Sequence, residues 1–138
     1  MALRGFVRTV LAGSILVSGM AGLAAPAQAP SFIALNGLEH GQWQLRELGG
    51  ASRSVCLGDP TTLFQQRHRG VQCSRFVIDN SATSATVHYT CPGAGHGRTT
   101  ITVETPRLVR IESQGLDAGA PFAFEVEGRR TGSCGAGS

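Results

Sequence analysis

The sequence predicts a mainly β protein, with a curved antiparallel sheet or small barrel of about seven strands, one short helix and two disulfides. Apolar and polar residues alternate in several short segments that are separated by turn residues, which is typical of antiparallel strands. The chain of 138 residues carries four cysteines and no Cys-x-x-Cys pair. In a chain with an export signal, four such cysteines indicate two structural disulfides.

The stretch from Cys73 to Cys91 gives the clearest hairpin. A polar turn over residues 80–84 separates two segments of period-two patterning. The alternating apolar residues of the two predicted strands are Phe76, Ile78, Val87 and Tyr89. Loops are expected over residues 92–97, which read Pro-Gly-Ala-Gly-His-Gly, and over residues 115–120.

The remaining elements follow from local patterns. Five further strands are predicted, over residues 41–48, 52–57, 99–103, 108–113 and 122–127. A helix is expected to begin at Asp59 as the capping residue, with Pro60 in the first helical position, and to end at Gly70. In the hairpin that turns at Pro106, Ile101 is expected to face Ile111, and Val103 to face Val109.

The N-terminus has the order of regions found in a secretory signal peptide. Arg4 and Arg8 precede an apolar stretch over residues 9–25, and small residues follow. We expect cleavage after residue 27, with residue 29 as the alternative, and no stable membrane anchor, because the apolar stretch is too short and too rich in glycine. The predicted divisions are a signal at 1–27, a leader arm at 28–40, a β-domain at 41–134 and a flexible tail at 135–138.

The cysteine spacing leaves three pairings open. We favour the sequential pairing of Cys56 with Cys73 and of Cys91 with Cys134, which would enclose the helix and fasten the C-terminus. The alternative is a cross-strand bridge between Cys73 and Cys91, which lie opposite each other about the centre of the hairpin turn.

Charge argues against a nucleic-acid partner. All 12 basic residues are arginine, and nine residues are acidic. Since Arg4 and Arg8 belong to the predicted signal, the mature domain carries almost no net charge. The strand arginines are scattered rather than clustered, and we expect them on solvated faces. They are Arg46, Arg53, Arg75, Arg98 and Arg110.

No catalytic, cofactor-binding or metal-binding residue is predicted. The chain has neither a Gly-x-Ser-x-Gly elbow nor a His-Glu-x-x-His motif, and its four histidines are far apart in sequence. Trp43, the only tryptophan, is expected to be a core anchor, with a ligand-facing position as the functional alternative. The residues considered as ligand-facing are Trp43, His40 and His88.

Several motifs together carry a family resemblance. They are Gly41-Gln42-Trp43 at the start of the sheet, Cys56 running into the helix, the hairpin closed by Cys91, and the final segment from Gly128 to Cys134. In this order they resemble the domain of unknown function family 3617, small exported proteins of Gram-negative bacteria. The resemblance spans about residues 37–134, and it departs at His40, where family members commonly have proline. It implies an exported four-cysteine domain and transfers no activity.

From these features we predict an exported periplasmic protein that acts as a non-catalytic binding or interaction module. Its expected partner is an envelope protein or a small apolar ligand, and no cofactor is expected. The alternative is an inhibitor of an envelope enzyme such as lysozyme, suggested by the strand end Tyr89-Thr90-Cys91. A hydrolase is the least supported class.

Overall fold

The computed structural model describes residues 22–26 and 29–135. In that part of the chain, seven strands form one antiparallel sheet in the order β2-β1-β7-β6-β5-β4-β3. The strands are β1 (Gly41–Glu47), β2 (Ser52–Leu57), β3 (Ser74–Asn80), β4 (Ser84–Cys91), β5 (Gly95–Thr105), β6 (Leu108–Asp117) and β7 (Ala120–Gly132). The predicted mainly β class is confirmed. The end strands β2 and β3 do not pair with each other, so the sheet is open and does not close into a barrel.

Most of the predicted signal peptide lies outside the described residues, as does the cut after residue 27. Of that segment only residues 22–26 are described, and they form no regular secondary structure. Residues 136–138 of the predicted tail are likewise outside the described range.

Two short 3₁₀ helices, η1 (Ala34–Gly37) and η2 (Pro60–Gln65), accompany the sheet. η2 is the predicted helix, and it ends before Gly70. As expected, the Asp59 carboxylate caps it by accepting a hydrogen bond from the Thr61 N–H at 2.9 Å. The Thr62 hydroxyl also donates to the Asp59 carbonyl oxygen at 2.8 Å. η2 is thus a 3₁₀ helix of six residues, tighter and shorter than the predicted helix.

The predicted pairs in the β5–β6 hairpin are confirmed, with Ile101 opposite Ile111 and Val103 opposite Val109. The two predicted loops are too long. β5 already begins at Gly95, inside the glycine-rich run, and β6 continues to Asp117. A two-residue turn at Ala118 and Gly119, with φ of 49° and 82°, then leads into β7. Positive φ at both central positions matches the twist of the flanking strands, so a longer connection is not needed.

The favoured sequential disulfide pairing is wrong. The bonds are Cys56–Cys134 and Cys73–Cys91. In the β3–β4 hairpin Ser74 pairs with Thr90, which brings Cys73 and Cys91 side by side with their Cα atoms 4.1 Å apart. The strand order explains the other bond.

β1 lies between β2 and β7, and Gln42 pairs with Cys56 on one side and with Gly132 on the other. Cys134, two residues past Gly132, therefore reaches Cys56 across the end of β1, with a Cα–Cα distance of 5.5 Å. The strand order that decides this pairing involves β7 returning beside β1, and cysteine spacing does not contain that information.

One face of the sheet, which we call the inner face, carries the core. Trp43, Val87, Ile101, Val109 and Ile111 are all fully buried there. The predicted leader arm contributes to the same core, because Phe32, Leu35 and Leu38 are buried against it. The Asn80 side chain fastens the arm. It accepts a hydrogen bond from the Ile33 N–H and donates one to the Ser31 carbonyl oxygen, both at 2.9 Å.

Candidate functional site

The three residues considered as ligand-facing are not brought together. Trp43 is 0% exposed, and its indole N–H donates to the Glu39 carbonyl oxygen at 3.0 Å, so it serves the core. His40 is exposed and lines a groove of about 250 Å³ beside the leader arm. His88 lies on the outer face of β4, with its ring centroid 5.6 Å from that of His96.

Sequence reasoning missed a groove on the inner face, which we call the arginine groove. Its volume is about 390 Å³, and its lining residues follow β7 from the β1–β2 turn to the β6–β7 turn. This volume falls within the roughly 300–1,000 Å³ that is usual for ligand clefts. The groove has an apolar floor of Leu45, Phe124 and Val126 and a basic rim of Arg53, Arg67 and Arg69.

Strand alternation directs Arg53 into this groove. Arg53 lies opposite Leu45 in the β1–β2 pair, and Leu45 is buried in the core. Val55 and Leu57 share the face of Arg53, because successive side chains of a strand point to opposite sides, and both pack on the core. Arg53 is therefore half-buried, unlike the solvated strand arginines that were expected. Its parity with Val55 and Leu57 was the one signal in the sequence that could have revealed it.

Arg53 and Arg69 form a pair of like charges. Burial lowers the pKa of Arg53 below its ordinary value, and the nearby positive charge of Arg69 lowers it further. Across residues 29–135, neither guanidinium makes a salt bridge or a side-chain hydrogen bond. Two adjacent cations without a counter-charge create a local positive field over an apolar floor.

The third rim arginine is already engaged. Arg67 Nε donates to Asp117 Oδ2 at 2.7 Å, and its guanidinium carbon lies 5.7 Å from the centroid of the Phe122 ring. Glu47 lines the opposite end of the groove, near the β1–β2 turn, and makes no salt bridge within the described chain. The groove is thus positive at Arg53 and Arg69 and negative at Glu47.

Behind Arg67 lies a buried polar network. A hydrogen bond of 2.9 Å joins His68 Nδ1 to the Tyr89 hydroxyl, and His68 Nε2 lies 3.6 Å from Asp117 Oδ1. A 2.7 Å bond links the hydroxyls of Thr99 and Ser113, and Thr99 also donates to a backbone carbonyl oxygen of η2 at 2.7 Å. Burial raises the pKa of Tyr89, and a side-chain hydrogen bond with Ser113 opposes that shift.

The glycine-rich run exists to make room for this network. A Cβ atom at Gly97 would lie 2.6 Å from the Tyr89 ring, and one at Gly95 would lie 2.8 Å from His68 Nε2. Gly95 also has φ of +145°, which side-chain-bearing residues rarely adopt. The loop predicted over residues 92–97 is therefore wrong from Gly95 onward, where the chain forms a strand over which two rings pack.

The network has the residue types of an acid–base site but not the access. Tyr89 is 0% exposed and His68 is 4% exposed. A general base must come within hydrogen-bond reach of its substrate, and Nδ1 of His68 is occupied by Tyr89. The arrangement joins η2 to β5 and β6 through Thr99 and Ser113, and joins His68, in the segment after η2, to β4 through Tyr89.

The other grooves of the described chain do not combine an apolar floor with two arginines. One of about 450 Å³ is lined largely by outward-facing strand residues, where Arg98 lies near Glu112 and Glu125. Another of about 410 Å³ contains His88 and His96. Within residues 22–26 and 29–135, no group of three or more His, Cys, Asp or Glu side chains is placed to hold a metal ion.

Comparisons with protein-family models, with curated proteins and with solved structures find no match for this chain. The resemblance to family 3617 therefore stays a prediction from the sequence. The two disulfides indicate an oxidising, extracytoplasmic environment. Among the helices of the described residues, none has the length and apolar character needed to span a membrane.

Proposed function

We propose that the chain is an exported periplasmic protein that acts as a non-catalytic binding module, and that the arginine groove is its binding site. The observation that carries this proposal is the meeting of an apolar floor with two unpaired arginines in a groove of ligand size. Arg53 is half-buried, Arg69 is exposed, and their like charges repel each other without a described partner, so the pair does not stabilise the fold, which supports a role in binding.

Export is supported by the signal-like N-terminal sequence and by the two disulfides. A binding role without catalysis is supported by the burial of the His68–Tyr89 pair, which leaves the chemistry-bearing side chains behind the groove rather than in it. Inhibition of an envelope enzyme such as lysozyme remains the alternative prediction.

The test uses a neutral apolar fluorophore, N-phenyl-1-naphthylamine, with the oxidised mature protein. We expect one saturable binding site on the wild-type protein. Ala51 lines the groove, so A51W should fill the groove and abolish the signal. The matched control is A82W, at an exposed residue of the β3–β4 turn, which should bind the fluorophore as the wild-type protein does.

Two results would overturn the proposal. One is the absence of saturable binding to the folded wild-type protein. The other is equal binding by A51W and A82W, which would place the apolar site elsewhere. Far-ultraviolet circular dichroism and the midpoint of thermal unfolding establish that both variants are folded before binding is compared.

A further inference from the structure

The polarity of the arginine groove specifies its ligand. Resting on the proposed function, we propose that the groove binds a medium-chain aliphatic monocarboxylate. The carboxylate would lie between Arg53 and Arg69, and the alkyl chain would cover Leu45, Phe124 and Val126.

The head group follows from the two unpaired arginines. Arg69 is close enough for its charge to act on Arg53, yet no described carboxylate pairs with either. An anion placed between them removes the repulsion and receives charge-assisted hydrogen bonds from both guanidinium groups. The planar fork of arginine suits a carboxylate, and such bonds are stronger in a partly dry site.

The tail follows from the floor and from the size of the groove. Leu45 and Val126 lie on neighbouring strands, with Glu47 pairing with Val126 and Leu45 with Gly128, and Phe124 continues the same face of β7. Leu45 and Val126 are buried, so Phe124 is the floor residue with apolar surface left in water, and covering it with a hydrocarbon chain is favourable in proportion to the area removed from water. A volume of about 390 Å³ suits one small molecule and not a folded partner.

The number of charges on the ligand follows from the far end of the groove. Glu47 is the same-face neighbour of Leu45, which pairs with Arg53, so Glu47 lies beside the head-group position and not at the far end. A second anionic group at the far end of the ligand would lie over Val126 and Phe124, where the nearby Arg67 is already paired with Asp117. Asp117 does not attract a cation there, because Arg67 already neutralises it at 2.7 Å. The site thus favours one carboxylate with an uncharged tail.

The experiment measures displacement of N-phenyl-1-naphthylamine at fixed ionic strength by four probes. Octanoate has the proposed head and tail, octyltrimethylammonium has the opposite charge, acetate lacks the tail, and suberate has a second carboxylate. We expect octanoate to displace the fluorophore at least ten times more effectively than each of the other three.

Variants locate the head group. R53Q and R69Q should each weaken octanoate about tenfold or more, the order expected for loss of a charge-assisted hydrogen bond. The matched control is R98Q, which removes the same charge from the exposed outer face and should change the octanoate affinity less than about twofold. R53K keeps the charge without the fork and should give an intermediate loss.

Equal displacement by octanoate and octyltrimethylammonium would overturn the proposal, as would an equal effect of R53Q, R69Q and R98Q. In either case, if the fluorophore still binds saturably and A51W abolishes that binding, the groove remains a binding site and only the proposal of a carboxylate ligand is rejected. If A51W has no effect, the proposed function itself fails. Comparison of unfolding midpoints ensures that a lost signal in R53Q or R69Q reflects binding and not folding.

Discussion

The inner face of the sheet has a covered end and an open end. At the covered end, formed by β4, β5 and β6, both 3₁₀ helices pack on the sheet. At the open end, along β7 between the β1–β2 turn and η2, the arginine groove leaves the face uncovered. At the covered end, Thr99, Ser113 and Tyr89 satisfy one another or a backbone carbonyl. At the open end, Arg53 and Arg69 carry charge with no described partner. Both regions lie on the same face of one sheet, so the difference between paired and unpaired polar groups comes from the side chains in each region and not from the sheet.

This difference separates groups that serve the fold from groups that serve a ligand. A buried hydroxyl stabilises a protein when its hydrogen bonds are complete, and an unpaired buried charge destabilises it. The hydroxyls of Thr99 and Ser113 meet the first description. Arg53 is half-buried and Arg69 is exposed, and their like charges have no described partner, so they do not add to the stability of the fold. Substitutions at the covered end should therefore lower the stability of the protein, whereas substitution of Arg53 or Arg69 at the open end should weaken ligand binding and leave the stability nearly unchanged.

The largest expected loss of stability comes from removing a disulfide, and the two disulfides cross-link different parts of the sheet. Cys56–Cys134 joins β2 to the segment after β7 and spans 78 residues, whereas Cys73–Cys91 closes the β3–β4 hairpin and spans 18. The chain-entropy model gives about 4.5 kcal/mol for the first and about 3 kcal/mol for the second. Urea unfolding of C56S/C134S and of C73S/C91S should show the larger loss in the first pair. A larger loss in C73S/C91S would show that the open end contributes little to the stability of the whole domain.

Much of the fold was readable from the sequence because it depends on local rules. Strand alternation and turn residues located all seven strands, and the Asp59–Pro60 pair located the start of η2. The register of Ile101 with Ile111 followed from a turn centred near Pro106. These features need only the residues within each hairpin.

The disulfide pairing and the site were not readable, because both depend on contacts between distant segments. Cys56 meets Cys134 only because β7 returns beside β1. The arginine groove requires the segment after η2 to place Arg69 over a floor made by β1 and β7. Gly95 and Gly97 indicated a loop, since a glycine strand that accommodates two rings has the same local sequence as a flexible connection.

An intermediate effect is expected at the covered end, from Tyr89. The variant Tyr89→Phe leaves the ring in place over Gly97 but removes the hydroxyl that bonds His68 Nδ1. Leaving buried polar groups unpaired should lower the free energy of unfolding by about 1–3 kcal/mol. Urea unfolding at neutral pH measures it, and a loss below about 0.5 kcal/mol would contradict a stabilising network.

The same residue gives the protein a pH dependence whose sign is fixed. Because burial raises the pKa of Tyr89, the folded state holds its proton after the unfolded state has released it. The stabilisation is complete below about pH 10, the ordinary tyrosine pKa, and is lost as the pH rises above that value. Tyr89 is the only tyrosine and the chain has no lysine, so few other groups titrate there. Wild-type stability should fall as the pH rises above about 10, and that of Tyr89→Phe should not, which urea unfolding at a series of pH values measures.

The smallest effect on stability is expected at the open end. Arg69→Gln removes one of two like charges and no described ion pair, so the free energy of unfolding should change by no more than about 0.5 kcal/mol, and upward if at all. Added salt tests whether repulsion between Arg53 and Arg69 causes the change in stability, because about 0.1 M salt already screens exposed charges beyond roughly 10 Å. Wild-type stability should rise more with added sodium chloride than that of Arg69→Gln. The comparison variant is Arg67→Gln, which loses the bond to Asp117 and should be less stable than the wild-type protein. If Arg69→Gln instead loses more than about 1 kcal/mol, then Arg69 supports the fold, and the contrast between the two ends of the inner face is wrong.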